Sequence, residues 1–349
     1  MLAARLTAPC TLQVENIPEP AEPGPGEVLL DIGAVGICGS DLHMYESFSS
    51  GGKPFPAPPI LGHEFGGTIL ALGEDARDGE DQPLHVGQRV AVEPAIPCWR
   101  CEMCEAGHAN LCLNVRFSGQ YPDPGALQER FVTLARNCFP IPDTISDDSA
   151  ALLETLGVAI HSINLAKIKL MDSVVVLGCG PVGLLILRLA KLAGAHPIYA
   201  FDKFPWRAEK AKAWGATAAW TLDDGDPLEH ITEATKGRGV DIAIEAAWAD
   251  ESVNLAADMT AVGGRLVIVG ISVHDELTLK HSTARRKGLT IKLVRRMKHT
   301  YPRAIEMVNA GLVNLDDLVS HRFPLAEVDK AFGLNFAYAE GVHKIMIDV

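Results

Sequence analysis

The sequence predicts an α/β chain in which a doubly wound parallel sheet accompanies an irregular β domain. Three observations carry that expectation. The chain has 349 residues, enough for two domains of ordinary size. Residues 1 to about 150 are rich in glycine and proline, with short strand-like runs between turn signals. From about residue 155 to 297, short Val/Ile/Leu runs alternate with longer Ala/Leu/Lys/Glu stretches, which is the texture of βαβ units.

In the first region EVLLDIGAVGI (27–37), GGTILALG (66–73) and QRVAVEP (88–94) are predicted strands. GEDARDGEDQP (73–83), acidic and dense in turn formers, is a surface loop. In the second region SVVVLG (173–178), PIYAFD (197–202), VDIAIEA (240–246) and RLVIVG (265–270) are continuous apolar runs. Parallel strands read this way because helices cover both faces of their sheet. Beyond residue 297 the pattern is mixed again. YPRAIEMVNAG (301–311) is a helix closed by Gly311, LAEVDKAFGL (325–334) a second helix, and HKIMIDV (343–349) a final strand. No internal repeat or low-complexity segment interrupts the chain.

Composition excludes several classes of function. Acidic residues outnumber basic ones by 44 to 31, a net charge of −13, which disfavours nucleic acid and anionic membranes as partners. At 48% apolar and 21% charged, the chain is not disordered. No window approaches 18 uninterrupted apolar residues, and the N-terminus has no signal-peptide core. A cytoplasmic protein with reduced cysteines is therefore expected. Of 8 cysteines, four fall between Cys98 and Cys112, in a chain far too long for a disulfide scaffold.

Three constellations carry chemistry. VVVLGCGPVG (174–183) places Gly178, Gly180 and Gly183 as G-x-G-x-x-G between a strand and a helix. Gly178 permits the turn, Gly180 lets a pyrophosphate approach the backbone, and Gly183 allows close helix–strand packing. Asp202 ends the next strand. It can accept hydrogen bonds from the adenine-ribose hydroxyls and repels a 2′-phosphate, which favours NAD over NADP; Lys203 beside it works the other way. Cys98, Cys101, Cys104 and Cys112, spaced C-x2-C-x2-C-x7-C, suit a closed tetrahedral zinc. An iron–sulfur site is the competing metal, although the spacing after the third cysteine departs from the bacterial ferredoxin pattern. Cys38 in GICGSDLH (36–43), with His63 and Glu64 in GHEFGG (62–67), forms a Cys/His/carboxylate set that leaves room for water or substrate, as a catalytic zinc requires.

These motifs, with ALLETLGVAIH (151–161) and VSHRFPL (319–325), stand in the order found in the zinc-dependent medium-chain dehydrogenases. The chain resembles the alcohol/polyol, sorbitol dehydrogenase-like branch of that family over nearly its whole length. The resemblance implies a GroES-like β catalytic domain (1–154 and 298–349, with a zinc lobe near 94–114) interrupted by a Rossmann domain (155–297). It implies one catalytic and one structural zinc per chain, with NAD as hydride carrier. Cys38 and His63 match ligands of the catalytic zinc. Glu64 and Glu154 both match acidic positions at that metal, and which of them ligates directly stays open. Asp41 matches a residue that orients His63. Ser40 and His43 match the proton relay. Gly178, Gly180, Pro181, Val182, Gly183, Asp202 and Arg207 match the dinucleotide site, with Val269, Gly270 and Ile271 near the nicotinamide.

The resemblance also frames the substrate. Arg296 takes the place of a substrate-facing arginine. Met44 and Met297 stand where sorbitol dehydrogenases have tyrosines, so two phenolic hydroxyls are missing. A small neutral polyol is expected, a tetritol such as erythritol or threitol, or xylitol or sorbitol, oxidised at a secondary alcohol to the ketose. L-Threonine 3-dehydrogenase or another secondary alcohol dehydrogenase is the alternative, and a catalytically idle nucleotide-binding relative a further one. A homotetramer or homodimer is expected, joined along RLVIVGISV (265–273).

Overall fold

The computed structural model describes residues 1–247, 249, 251–272 and 276–349. Val273, the last residue of the expected joining strand, lies outside them. The chain forms two compact units, Met1–Thr155 with Tyr301–Val349, and Leu156–Thr300.

In the first unit, the described residues form a seven-stranded mixed sheet. Its central strand, Glu27–Gly36, pairs antiparallel with Glu64–Leu72, Arg130–Leu134 and Lys344–Asp348. Val28, Leu30, Val35, Phe65, Ile69 and Ile347 bury one hydrophobic core with Phe332 from the helix Val328–Phe336. Each such side chain contributes about 1.5–3 kcal/mol on burial. The register matters most at one end of the sheet, where Gly36 stands opposite both Glu64 and Met346. Antiparallel neighbours bring the end of one strand beside the start of the next. Cys38, just past the central strand, therefore meets His63 at the entry to the second strand and Lys344 at the start of the last. A hairpin of Leu2–Ala8 and Thr11–Asn16 was not expected from the sequence. Its alanines have weak strand preference, and cross-strand pairing decides its form.

Among the described residues of the second unit, six parallel strands lie in the spatial order Ala218–Thr221, Ile198–Asp202, Val174–Leu177, Val240–Glu245, Thr260–Ile268, Thr290–Leu293. Numbered along this unit, that is 3-2-1-4-5-6, the doubly wound order whose ligand crevice lies where the winding reverses, beside strand 1. The helix Pro181–Leu192 follows that strand, with Gly180 as N-cap and proline at its first position. The edge strand Thr290–Leu293 carries no continuous apolar run, because an edge strand is only partly covered, and Ala218–Thr221 carries only a short one. Among the described residues one helix, Asp147–Ala166, is long and apolar enough to cross a membrane, and 78% of its most apolar 18-residue window is buried within the protein.

Candidate active site and metal centres

The first site is built at the sheet end just described. The helix Gly39–Ser47 starts directly after Cys38. Asp41, fully buried, closes that start: its Oδ2 accepts the Cys38 N–H at 3.0 Å. Its Oδ1 lies 3.2 Å from His63 Nδ1, so one carboxylate fixes both the cysteine's backbone and the imidazole. The opposite ring nitrogen then faces Ser40. Ser40 Oγ lies 3.4 Å from His63 Nε2 and 3.4 Å from Cys38 Sγ. Burial alone would lower the His63 pKa, but Asp41 and Cys38 outweigh it and raise it. His43, three residues beyond Ser40 on the same helix, is half-buried, and burial lowers its pKa. The Phe117 ring tilts against His63 at 5.3 Å between centroids.

Carboxylates crowd this corner. Burial pushes the Glu154 carboxyl up to about 7; His63 opposes that and the Glu64 charge adds to it. Burial and Glu154 push Glu93 to about 7. Glu64 is different, because Lys344 Nζ donates to both its oxygens, at 2.8 and 2.6 Å, and Thr155 Oγ1 donates at 3.0 Å. Asp41 and Cys38 act on the His63 imidazole, and Glu64, Cys38 and Glu154 act on Lys344. Buried acid exceeds buried base, and the donor set is thiol, imidazole and carboxylate. These residues fit a divalent zinc ion.

The second metal centre is the cysteine lobe. The sulfurs of Cys98, Cys101, Cys104 and Cys112 all lie within 4.8 Å of one another. Cys101 Sγ is 3.6 Å from that of Cys104 and 3.9 Å from that of Cys112. Four sulfurs around one zinc sit about 3.8 Å apart, so the lobe is already near the size of that tetrahedron. Backbone N–H groups of Cys98 and Asn114 donate to Cys112 Sγ at 3.2 and 3.4 Å. The Arg100 N–H holds the Cys98 thiol down to about 6. Among the described residues this is the one tight cluster of three or more such ligands. The Arg136 guanidinium covers the Trp99 ring at 3.8 Å and fastens the lobe to the unit.

The glycine-rich turn belongs to the second unit. Gly178 has φ +93°, and a Cβ there would meet Ala246 O at 2.6 Å. A Cβ on Gly183 would collide with the Gly178 carbonyl, so the helix and turn pack as closely as backbones can. A Cβ on Gly180 would meet only Arg207 Nη1, at 3.7 Å. That open space leaves the backbone accessible to a phosphate. Asp202 braces the turn, accepting the Cys179 N–H at 2.7 Å and the Phe204 N–H at 2.9 Å. Val182 is half-buried in the first turn of the following helix. Beyond strand Thr260–Ile268, Val269 and Gly270 donate to Glu245 O at 2.8 and 3.2 Å, and Ile271 is exposed.

The residues expected at the substrate are placed differently from these. Met44 is buried in the core of the first unit. Met297 is buried in the second unit, where a Cβ on Gly157 would meet its sulfur at 2.5 Å. Arg296 is half-buried with φ +54°. Sequence reasoning missed Lys344, Thr155, Glu93 and Phe117. The one available signal was a lysine at the head of the apolar strand HKIMIDV.

Residues 24–143 match the alcohol dehydrogenase GroES-like domain, and residues 181–310 match the zinc-binding dehydrogenase domain. A sorbitol dehydrogenase of Bacillus subtilis (strain 168) is 36% identical over 336 residues, 96% of this chain and 94% of that protein. D-xylulose reductase A of Aspergillus niger is 36% identical over 326 residues, covering 92% of this chain and 89% of that one. The crystal structure of an Escherichia coli oxidoreductase of unknown specificity superposes with a TM-score of 0.93 at 30% identity, over 99% of this chain and 98% of the other.

Proposed function

Because the chain belongs to the zinc-dependent dehydrogenases that join a GroES-like domain to a Rossmann domain, and within them to the polyol dehydrogenases, we propose that it oxidises a secondary alcohol of a small neutral polyol to the ketose with NAD. A tetritol, xylitol or sorbitol is the substrate of this reading. The observation that carries it is Ser40 Oγ standing 3.4 Å from both Cys38 Sγ and His63 Nε2, a hydroxyl beside two metal ligands.

When bound, the zinc supplies a Lewis acid that lowers the substrate hydroxyl's pKa, and the nicotinamide supplies the hydride acceptor. The protein's own groups do the rest. Cys38 and His63, with a glutamate, would hold the metal, and Asp41, 3.2 Å from Nδ1, fixes the imidazole with Nε2 toward Ser40. Ser40 can accept and donate at one oxygen, so it takes the hydroxyl proton and passes it outward. His43, whose pKa burial lowers, is the next acceptor. In the second unit the glycine-rich turn takes the pyrophosphate on the N–H groups of the helix Pro181–Leu192, and Asp202 takes the adenine ribose. Arg207, beside Gly180, neutralises phosphate charge. The four-cysteine lobe holds a structural zinc. The enzyme is proposed to work in the cytoplasm as a homodimer or homotetramer.

The test is a panel of C4–C6 polyols run beside L-threonine and simple secondary alcohols, with NADH absorbance as readout. Faster turnover of L-threonine than of every polyol would move the assignment to threonine dehydrogenase.

A further inference from the structure

Past the relay helix Gly39–Ser47 the chain makes a small hairpin that the reaction above does not use. Ser49–Ser50 pairs antiparallel with Lys53–Pro54, and Gly51 and Gly52, at φ +54° and +72°, make the two-residue turn between them. Positive φ at both turn positions matches the twist of the strands, which fixes the register and so the place of Ser50. Two sets of contacts tie this hairpin to the site. Ser49 Oγ donates to Ser47 Oγ at 2.8 Å, and Ser47 Oγ donates to the His43 carbonyl at 2.7 Å. On the other side Gln120 Nε2 donates to Ser50 Oγ at 3.1 Å. The Gln120 N–H closes a turn on the Phe117 carbonyl at 3.1 Å, and the Phe117 ring is the one that lies against His63.

We propose that Gln120 and Ser50 form a specificity-determining pair that hydrogen-bonds a hydroxyl of the polyol beyond the carbon being oxidised. This rests on reading the Cys38 and His63 corner as the place of alcohol oxidation. Three observations support it. Met44 and Met297, where tyrosines were the expectation, are buried thioethers, so recognition of the remaining hydroxyls falls to other side chains. Ser50 accepts from Gln120, while its own O–H has no acceptor among the described residues although the residue is half-buried. A substrate hydroxyl supplies that acceptor. Finally, the two polar groups are carried on packed rings. Phe48 meets Phe55 edge to face at 5.6 Å, and Tyr121, next to Gln120, tilts against Phe55 at 6.2 Å.

A monohydric alcohol has no second hydroxyl to offer. The pair therefore sorts alcohols by chemical class rather than by size.

The test compares the C4–C6 polyol that the full-length, zinc-loaded protein oxidises fastest with 2-butanol, by NADH absorbance. The readout is the ratio of the two kcat/KM values. Gln120→Leu and Ser50→Ala are each expected to lower that ratio about 10-fold, with the loss on the polyol falling on KM more than on kcat. The double variant is expected to lose about as much as the larger single loss, because both groups act on one hydroxyl. Ser50→Thr, which keeps the hydroxyl, is expected to hold the wild-type ratio. Should Gln120→Leu not fold, Ser50→Ala against Ser50→Thr still decides. Where the wild type takes no monohydric alcohol, the KM for the polyol decides in the same way. An unchanged ratio, or a fall in kcat on the polyol with KM unmoved, overturns the role of the pair. No NADH from any alcohol, with zinc fully bound, overturns the reading of the site instead.

Discussion

Two alanine substitutions three residues apart separate packing from ligand binding at the glycine-rich turn. In Gly183→Ala the new methyl would overlap the Gly178 carbonyl, which belongs to the backbone and cannot swing away. The helix Pro181–Leu192 must then lift off the turn. Overpacking of this kind costs about 3 kcal/mol, or roughly 6–12 °C in the melting of a unit this size. In Gly180→Ala the methyl meets only the end of the Arg207 side chain, at 3.7 Å. The protein without ligand should melt within about 0.5 kcal/mol of wild type. That methyl nevertheless occupies the space through which a pyrophosphate approaches the N–H groups. A hydrogen bond to a charged phosphate is worth up to about 3 kcal/mol, so losing one is expected to raise the Kd for NAD about 100-fold. Calorimetric melting with and without NAD reads both effects. At 100 times its Kd, NAD stabilises the wild type by about 2.7 kcal/mol, and Gly180→Ala should lose most of that gain at the same concentration. Full stabilisation of Gly180→Ala by NAD would refute the nucleotide reading of the turn, and a wild-type melt for Gly183→Ala would refute the packing argument.

Three further outcomes are expected. Ser40→Ala should lower kcat about 100-fold or more while metal content, measured by elemental analysis, stays at wild type. Cys104→Ser should release one metal per chain and lower the melting temperature of the first unit, measured by calorimetry, because the lobe closes on four sulfurs. Asp241 supports the second unit in a pH-dependent way. Burial would raise its pKa, but hydrogen bonds from Arg238 and Ser173 outweigh that and hold it at about 2. Its folded pKa lies below the ordinary carboxylate value, so its contribution is present above about pH 4 and is lost as pH falls toward 2. Asp241→Asn should cost about 1 kcal/mol at neutral pH after solvent screening, and urea denaturation should show that gap narrowing below pH 4.

The parallel strands of the second unit were legible because burial on both faces writes continuous apolar runs, and the turn because glycine spacing reflects steric demands now visible at Gly178 and Gly183. Its edge strands were not, since one side lacks a neighbour and the apolar signal thins. In the first unit the motifs named Cys38, His63 and Glu64, but only register shows that two of them converge while Glu64 turns to Lys344. That partner is 280 residues away in sequence, and no local pattern encodes such a pairing. Phe117 escaped notice for the same reason. Met44 and Met297 were read as pocket residues from the tyrosines they replace; what the sequence could not convey is how deeply each is buried.

Zinc dependence of polyol oxidation tests the proposed chemistry most directly. Purified protein would be stripped with a chelator and assayed for NADH formation on C4–C6 polyols before and after zinc is restored. The expected result is no turnover in the stripped protein, and turnover on at least one polyol once zinc is returned to the Cys38 and His63 site. Undiminished polyol oxidation by protein that elemental analysis shows to be free of metal, or no NADH from any polyol with zinc fully restored, would contradict it.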